Sequence, residues 1–301
     1  MSDFGSLLGV ALSIGGAFAL ACSYLCIRVG TDRGMATDAV LLIMAVNLVV
    51  LTPLVAVFYY PTYGVTLDSL AVFAAAGVFG TLLGRICAYT SIGRIGASRT
   101  SPLLAARAFV ATILGIVLLN EALTALQGAG IVAIVVGTSG LVWETAHENP
   151  DDLPRSELVR SLGIAAVAAV AFGVEPILAN WGFQEGTPAP VGVVIKTVAA
   201  TGGMVAYLRW RGELPAPSDA RSSETRWFVL AGLCNTLFIL AYYVALALAP
   251  VSLVVPLVVT NPLFVVALGA VFMPDYLERV TPRLIVAAVV VVGGVVAVTV
   301  A

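Results

Sequence analysis

The chain has 301 residues, of which 60% are hydrophobic and 11% are charged, with a formal net charge of −2 at pH 7 and a mean hydropathy of +1.04. A soluble globular protein carries about 25% charged residues. The composition therefore excludes that class and predicts an integral membrane protein.

Ten apolar runs follow one another along the chain with short breaks between them. Each is long enough for a helix to cross about 30 Å of hydrocarbon. All four tryptophans fall at run ends, where an amphipathic ring prefers the headgroup region. The first run lacks a basic leader, so we expect a retained helix and not a signal peptide. The runs predict an all-α polytopic membrane protein with ten transmembrane helices at residues 6–27, 37–59, 69–92, 97–119, 125–143, 158–182, 190–210, 227–249, 252–273 and 282–301.

Motifs of soluble enzymes are missing from the sequence. The only histidine, His147, lies in a polar linker, and neither GxSxG nor GxxxxGK[ST] occurs. Gly128 and Gly130 begin a GxGxxA match inside an apolar run, which favours helix packing by small residues over nucleotide binding. The cysteines lie inside apolar runs and indicate no disulfide framework, and Cys22 and Cys26 have no third metal ligand in view. We expect no enzyme activity, no cofactor and no metal site.

An internal repeat relates the two halves of the chain. Residues 8–19 (LGVALSIGGAFA) align with residues 162–173 (LGIAAVAAVAFG) at an offset of 154. The same offset relates Tyr89 to Tyr243, Ser98 to Ser252, Pro102 to Pro256, Leu103 to Leu257, Gly115 to Gly269 and Glu121 to Asp275. We predict a first five-helix repeat at 1–143, an acidic linker at 144–157 and a second five-helix repeat at 158–301.

The offset slips only before the last run of each half. Thr124 with Gln127 indicates a capping box there, and Thr281-Pro282 places a proline in the first helical turn. Because each repeat has five helices, the second must enter the membrane from the opposite side to the first, which gives two inverted repeats.

The arginines of the loops support this topology. Loops after the first, third, fifth, seventh and ninth runs contain twelve, and the opposite loops contain none. We call the end of the helices that carries these residues the basic end; they are Arg28, Arg33, Arg94, Arg99, Arg155, Arg160, Arg209, Arg211, Arg221, Arg226, Arg279 and Arg283. The positive-inside rule predicts that the basic end is cytoplasmic and that both termini lie outside.

Two five-helix repeats, each with a proline early in its fourth helix and an acidic residue before its fifth, resemble the EamA-type members of the drug/metabolite transporter superfamily. The acidic step reads Asn120-Glu121-Ala122-Leu123-Thr124 in the first repeat and, more weakly, Pro274-Asp275-Tyr276-Leu277-Glu278 in the second. The resemblance covers nearly the whole chain. It implies transport of a small molecule without naming the cargo. Ten-helix relatives are usually drawn with cytoplasmic termini, which differs from the topology that the arginines predict.

Three basic residues, Arg85, Arg107 and Lys196, lie inside the runs, and Glu175 is the clear intramembrane acid. Charges at the centre of a bilayer are costly and are usually functional. Their partners at the 154 offset are uncharged, so the scaffold is repeated and the charges are not. We expect Arg107, Arg85 and Lys196 to bind substrate. Because a carboxylate in a low-dielectric site can bind and release a proton near neutrality, Glu175 is a candidate proton-coupling group.

Polar residues near these charges suggest a lined cavity. Thr81, Arg85 and Tyr89 recur every four residues on one helical face, and the equivalent positions of the eighth run include Asn235 and Tyr243. Asn261 precedes Pro262, where a proline can free backbone carbonyls. We add Tyr89, Thr81, Asn235, Tyr243 and Asn261 to the predicted substrate-binding residues. A structural role remains the alternative: Arg85 could extend to the basic end, and Glu175 or Arg107 could have a charged partner within the protein.

The sequence thus predicts a secondary transporter of a small polar metabolite that carries a carboxylate or phosphate, working by alternating access between the repeats. A membrane-embedded enzyme or lipid flippase, and a non-transporting membrane scaffold, are the alternatives. We expect the protein to be a multi-pass protein of the cell (plasma) membrane, with the lipid bilayer and a small-molecule substrate as partners and no nucleic acid. Assembly as a homodimer is left open.

Overall fold

The computed structural model describes residues 3–31, 36–145, 155–212, 225–272 and 281–300. These residues are almost entirely helical, and no strand occurs among them. A π-helical segment, Gly77–Leu83, lies between α3 and α4. The α-helices are α1 (Asp3–Thr31), α2 (Ala36–Phe58), α3 (Leu67–Ala76), α4 (Gly84–Ala105), α5 (Arg107–Leu119), α6 (Ala125–Thr145), α7 (Arg155–Gln184), α8 (Ala189–Arg211), α9 (Thr225–Leu248), α10 (Val251–Val259), α11 (Asn261–Phe272) and α12 (Pro282–Val300).

Ten helical stretches of the described chain are long and apolar enough to cross a membrane, which confirms the ten predicted helices. We number them as spans one to ten; they are Gly5–Gly30, Val40–Phe58, Leu67–Ile95, Pro102–Leu119, Ala125–Glu144, Ser156–Gln184, Ala189–Arg211, Thr225–Leu248, Val251–Phe272 and Pro282–Val300.

The predicted helix-start signals before spans five and ten are both present. The Thr124 amide N lies 2.9 Å from Gln127 Oε1, and the Gln127 amide N lies 3.1 Å from Thr124 Oγ1, which makes a reciprocal capping box. The Thr281 hydroxyl accepts a bond from the Leu284 N–H at 3.2 Å, and Pro282 is the first residue of α12. Local sequence therefore fixes where the last helix of each repeat begins.

The chain reverses direction within α4, between spans three and four. The Ser91 and Thr100 hydroxyl oxygens lie 3.0 Å apart. Nine residues of straight α-helix would separate them by about 13.5 Å. At the equivalent place in the second repeat, α9 ends at Leu248 and Pro250 precedes α10. The turn between the third and fourth helices is thus common to both repeats.

The fourth helix of each repeat is broken at equivalent residues. Ala106 separates α4 from α5, and Thr260, which lies 154 residues later, separates α10 from α11. Each break contains a tight turn, with the Ala106 N–H bonded to the Leu103 carbonyl at 3.1 Å and the Thr260 N–H bonded to the Leu257 carbonyl at 3.2 Å. The breaks place Arg107 and Asn261 at matching positions, each as the first residue after a break.

Helix packing follows the inverted repeat. Helix α1 packs on α9, and its counterpart α7 packs on α3, the π-helical segment and α4, so the first helix of each repeat lies against the third helix of the other. Helices α2 and α8 pair, as do α6 and α12. The close α6–α12 contact depends on small residues, because a Cβ at Gly130 would lie 2.8 Å from the Gly294 carbonyl oxygen. Gly130 therefore has the packing role predicted for it.

Glu121, the acidic residue of the family-like motif, joins the two repeats. Its carboxylate accepts bonds from the Val251 N–H at 2.6 Å and the Ser252 N–H at 2.9 Å. These donors belong to the first turn of α10, where backbone N–H groups lack partners within the helix and favour an anion. Glu121 thus caps a helix of the other repeat. Its counterpart Asp275 lies outside the described residues.

The orientation of the helices stays a prediction, and labelling of single cysteines tests it. In a variant without its four native cysteines, Glu185→Cys and Ser156→Cys would place thiols at exposed positions on opposite ends of the helices. We expect an impermeant maleimide to label Glu185→Cys in intact cells and Ser156→Cys only after permeabilisation. The reverse pattern would place the basic end outside. Thr187, in the same loop as Glu185, is buried and unsuitable as a reporter.

Candidate functional site

A buried ion pair lies at the centre of the second repeat. Glu175 on α7 and Lys196 on α8 are each 7% exposed, and Lys196 Nζ contacts Glu175 Oε1. Tyr243 on α9 donates its hydroxyl to the same oxygen at 3.2 Å, and its ring centroid lies 4.6 Å from Lys196 Nζ. The structure therefore brings together two predicted substrate-binding residues, Lys196 and Tyr243, and the predicted coupling residue, Glu175. The charges of Lys196 and Glu175 compensate each other.

The π-helical segment makes room for this pair. A Cβ at Gly80 would collide with the Glu175 carboxylate, and a Cβ at Gly77 would collide with the Lys196 carbonyl. Because glycine has no side chain, the backbone of the third span can lie close to α7 and α8 at these positions. Thr81 lies in the same segment and is half-buried. A π-helical turn inside a transmembrane helix is often found at a functional site.

Arg85 and Arg107 lie beyond this pair, toward the basic end of the first repeat, and both are half-buried. Each interacts electrostatically with Tyr24, which also interacts with Tyr89. Arg107 also interacts electrostatically with the buried Tyr242 of α9. Tyr24 was not singled out in the sequence, because nothing in its own helix distinguishes it.

The two arginines have no acidic partner within 4 Å in the part of the chain that the structure describes. Arg107 makes a cation–π contact, with its Cζ 5.7 Å from the Phe172 ring centroid. Arg85 lies close enough to Lys196 for the two charges to repel each other. Glu175 is already paired with Lys196, so the described residues supply no acidic group to compensate the charges of Arg85 and Arg107.

Asn235 lies in a separate buried cluster. The side-chain amides of Asn47 and Asn235 are 3.0 Å apart, and the Thr236 hydroxyl lies 2.8 Å from the Asn47 amide. All three residues are buried between α2 and α9. Sequence reasoning missed Asn47 because a lone asparagine in an apolar run gives no sign of its partner. The substrate-binding role predicted for Asn235 stays a prediction, and its present partners are protein groups.

Residues related by the repeat differ in exposure. Tyr89, near the basic end, is 51% exposed, whereas its counterpart Tyr243, near the opposite end, is fully buried. Eight of the nine residues of α10 are buried, whereas Leu103, Leu104 and Ala105 of the equivalent first-repeat segment are half-buried. Arg107 and Asn261 differ in the same way.

Equivalent residues of two inverted repeats would be equally exposed if the repeats had the same packing. The two repeats therefore pack differently, and these residues are less covered by protein in the first repeat than in the second.

An aromatic cluster fills the interior at the opposite end. Phe73, Phe183 and Tyr243 have ring centroids 5.5 to 6.4 Å apart. Phe73 is fully buried and packs against Gly182 and Gly192. The loops beyond the cluster also meet, since the Thr187 hydroxyl donates to the Gly64 carbonyl at 2.7 Å. This end of the helix bundle is closed.

Comparisons with known proteins agree with the two repeats. The sequence model of the EamA-like transporter family matches residues 7–143 and again residues 159–300. A solved structure, described only as the crystal structure of a protein, is similar to the chain at a TM-score of 0.80 and 16% sequence identity, and the match covers 100% of this chain and 98% of that chain. At this identity the similarity shows the fold alone. No curated protein matches the chain.

Proposed function

Because the chain belongs to the EamA-like transporter family, we propose that it is a secondary transporter of a small polar metabolite that carries a carboxylate or phosphate. The observation that carries the proposal is the uncompensated charge of Arg85 and Arg107. A guanidinium group presents donors in a planar fork that matches a carboxylate or phosphate. An anionic substrate would supply the partner that these two side chains lack within the described protein.

Alternating access between the repeats is supported by the unequal exposure of equivalent residues. Tyr89 and the half-buried residues of the fourth span leave the basic end open, whereas Tyr243 and the aromatic cluster close the opposite end. Exchanging the conformations of the two repeats would bury Tyr89 and expose Tyr243. In the proposed cycle the substrate reaches Arg85 and Arg107 from the basic end in the present conformation.

The contacts of Glu175 support a role in holding Lys196 in place. The carboxylate is bonded to Lys196 and Tyr243 and packs directly against Gly80. It thereby joins the third, sixth, seventh and eighth spans. The proton-coupling role of Glu175 and the substrate-binding role of Lys196 stay predictions.

The site of action proposed for the carrier is the plasma membrane, with the basic end in the cytoplasm. The apolar outer faces of α6 and α12 support contact with lipid, since Val136 and Val289 are largely exposed. The same faces are available for assembly as a homodimer.

Uptake into proteoliposomes tests the proposed function. We expect transport of labelled carboxylates or phosphate esters and no transport of cations or neutral sugars of similar size. The Arg85→Gln variant is expected to reduce uptake of a dianion such as a phosphate ester about tenfold or more, because one charge-assisted contact with the substrate is lost. Arg160→Gln removes an exposed charge from the basic end and serves as the matched control. A wild-type preference for cations or neutral solutes would contradict the proposal.

A further inference from the structure

The charge balance around the site has a consequence for both the substrate and the mode of transport. Glu175 and Lys196 form a neutral pair, and Arg85 and Arg107 add two positive charges with no acidic partner among the described residues. We propose that the carrier exchanges dianions, because a bound dianion neutralises both arginines and the empty carrier cannot readily close over them. This inference rests on the proposed function and specifies the valence of its substrate.

In the present conformation protein covers the two guanidinium groups only in part, which leaves them accessible to water in the proposed open state. Both are half-buried, and Tyr24 and Tyr89 beside them are 46% and 51% exposed. This partial coverage therefore lowers the cost of leaving the charges unpaired. The carrier can therefore remain without substrate while the site is open.

Closure of the basic end would remove that hydration. The equivalent positions at the closed end show what closure does: Tyr243 is fully buried, and Asn261, the counterpart of Arg107, is 6% exposed. If the first repeat adopted the packing of the second, Arg107 would be nearly as buried as Asn261. A buried charge without a partner is strongly unfavourable.

The positions of the arginines make closure depend on the substrate. At the closed end Asn261 and Ile239 occupy the sites equivalent to Arg107 and Arg85, and neither is charged. The second repeat therefore closes with its buried charges paired, as Glu175 with Lys196, whereas the first repeat would bury Arg85 and Arg107 without an acidic partner among the described residues. A bound dianion would neutralise the charges of both Arg85 and Arg107, whereas a monoanion would leave one guanidinium group uncompensated. The carrier is thus expected to reorient loaded in both directions, which is exchange.

Succinate and lactate are suitable probes, because near pH 7.5 the first is a dianion and the second a monoanion. Proteoliposomes containing the full chain are loaded with unlabelled succinate, with lactate or with buffer alone, and uptake of labelled succinate is measured. We expect uptake into succinate-loaded vesicles to exceed uptake into buffer-loaded vesicles by about tenfold or more, a barrier difference of about 1.4 kcal/mol. Lactate inside should stimulate uptake much less.

Variants separate the charge balance from other causes. Arg85→Gln leaves one uncompensated charge, so we expect this variant to exchange lactate faster than the wild type does and to lose its preference for succinate. Arg107→Gln should behave likewise and provides a second variant should the first fold poorly. Arg160→Gln, on the surface of the basic end, should keep the wild-type preference. Thermal unfolding of each purified variant verifies that it is folded.

The outcomes distinguish this inference from the proposed function. Equal uptake into loaded and buffer-loaded vesicles would overturn exchange and leave anion transport standing. A wild-type preference for lactate over succinate, or an unchanged preference in both arginine variants, would overturn the dianion assignment. Failure of the wild type to transport any anion would contradict the proposed function as well.

Discussion

Replacing Arg107 with alanine is expected to abolish transport of dianions such as succinate while leaving abundance and thermal stability close to those of the wild type. A charge in the middle of a bilayer costs about 2.5–3.5 kcal/mol on insertion scales, whereas a cation–π contact such as that with Phe172 contributes about 0.5–2 kcal/mol. Removing the charge therefore does not weaken the fold. Transport fails because the substrate loses a bidentate partner. Uptake into proteoliposomes and thermal unfolding of the purified protein measure the two effects.

Two further variants define the role of Arg107. Arg107→Lys should recover only part of the activity, because an ammonium group cannot reproduce the guanidinium fork. Arg160→Ala is the matched control and should transport normally. If Arg107→Ala unfolds or depletes the protein, Arg107 has a structural role, and if it is stable and transports normally, Arg107 has neither role. Glu175 was the acid considered as a structural partner for Arg107, but in the structure its partner is Lys196.

Breaking the buried ion pair is expected to destabilise the protein severely. Lys196→Met leaves the Glu175 carboxylate 7% exposed and without its cationic partner. Removing one member of a buried pair typically costs about 3–5 kcal/mol, whereas replacing both is often neutral. We therefore expect a large fall in melting temperature for Lys196→Met and recovery in Lys196→Met/Glu175→Gln. Thermal unfolding of the three proteins in the same detergent gives the comparison.

Transport by the double variant then tests whether coupling of transport to protons requires the buried pair. If the pair serves only to hold the sixth and seventh spans together, the recovered protein transports and responds to an imposed pH gradient as the wild type does. A wild type that is driven by the gradient and a double variant that is not would show that proton coupling requires the Glu175–Lys196 pair. A double variant as unstable as Lys196→Met would show that the instability of Lys196→Met does not come from leaving the Glu175 carboxylate without its partner.

The fold was predictable because its two strongest determinants are local in the sequence. A run of about 20 apolar residues specifies a spanning helix without reference to any other part of the chain. The offset of 154 aligns residues that share a structural role, and it correctly relates the breaks at Ala106 and Thr260. Capping residues such as Thr124 act within a single turn. The apolar runs and the caps depend on neighbours along the chain, and the repeat is visible when the two halves of the sequence are compared.

Partners across helices could not be predicted in the same way. Glu175 pairs with Lys196, Asn47 with Asn235, and Glu121 with the first turn of α10. Each contact depends on which helices are neighbours and on how each is rotated about its axis, and the apolar pattern of a transmembrane helix specifies neither. The π-helical segment was also unexpected, since its glycines read equally well as ordinary packing residues. The sequence also does not predict which end is open, because this depends on the conformation that the protein adopts.

The crossed packing of the repeats affects how the protein is made. Helix α1 lies against α9, and α7 lies against α3 and α4, so neither repeat contains the neighbours that its own first helix needs. A chain synthesised from its N-terminus delivers five spans to the bilayer before α9, the neighbour of α1, and α7, the neighbour of α3 and α4, have been made. During that interval Arg85 and Arg107 must be tolerated by lipid or by the insertion machinery. We therefore expect assembly to be completed only when α9 has been inserted, and a chain that ends after the acidic linker to be degraded.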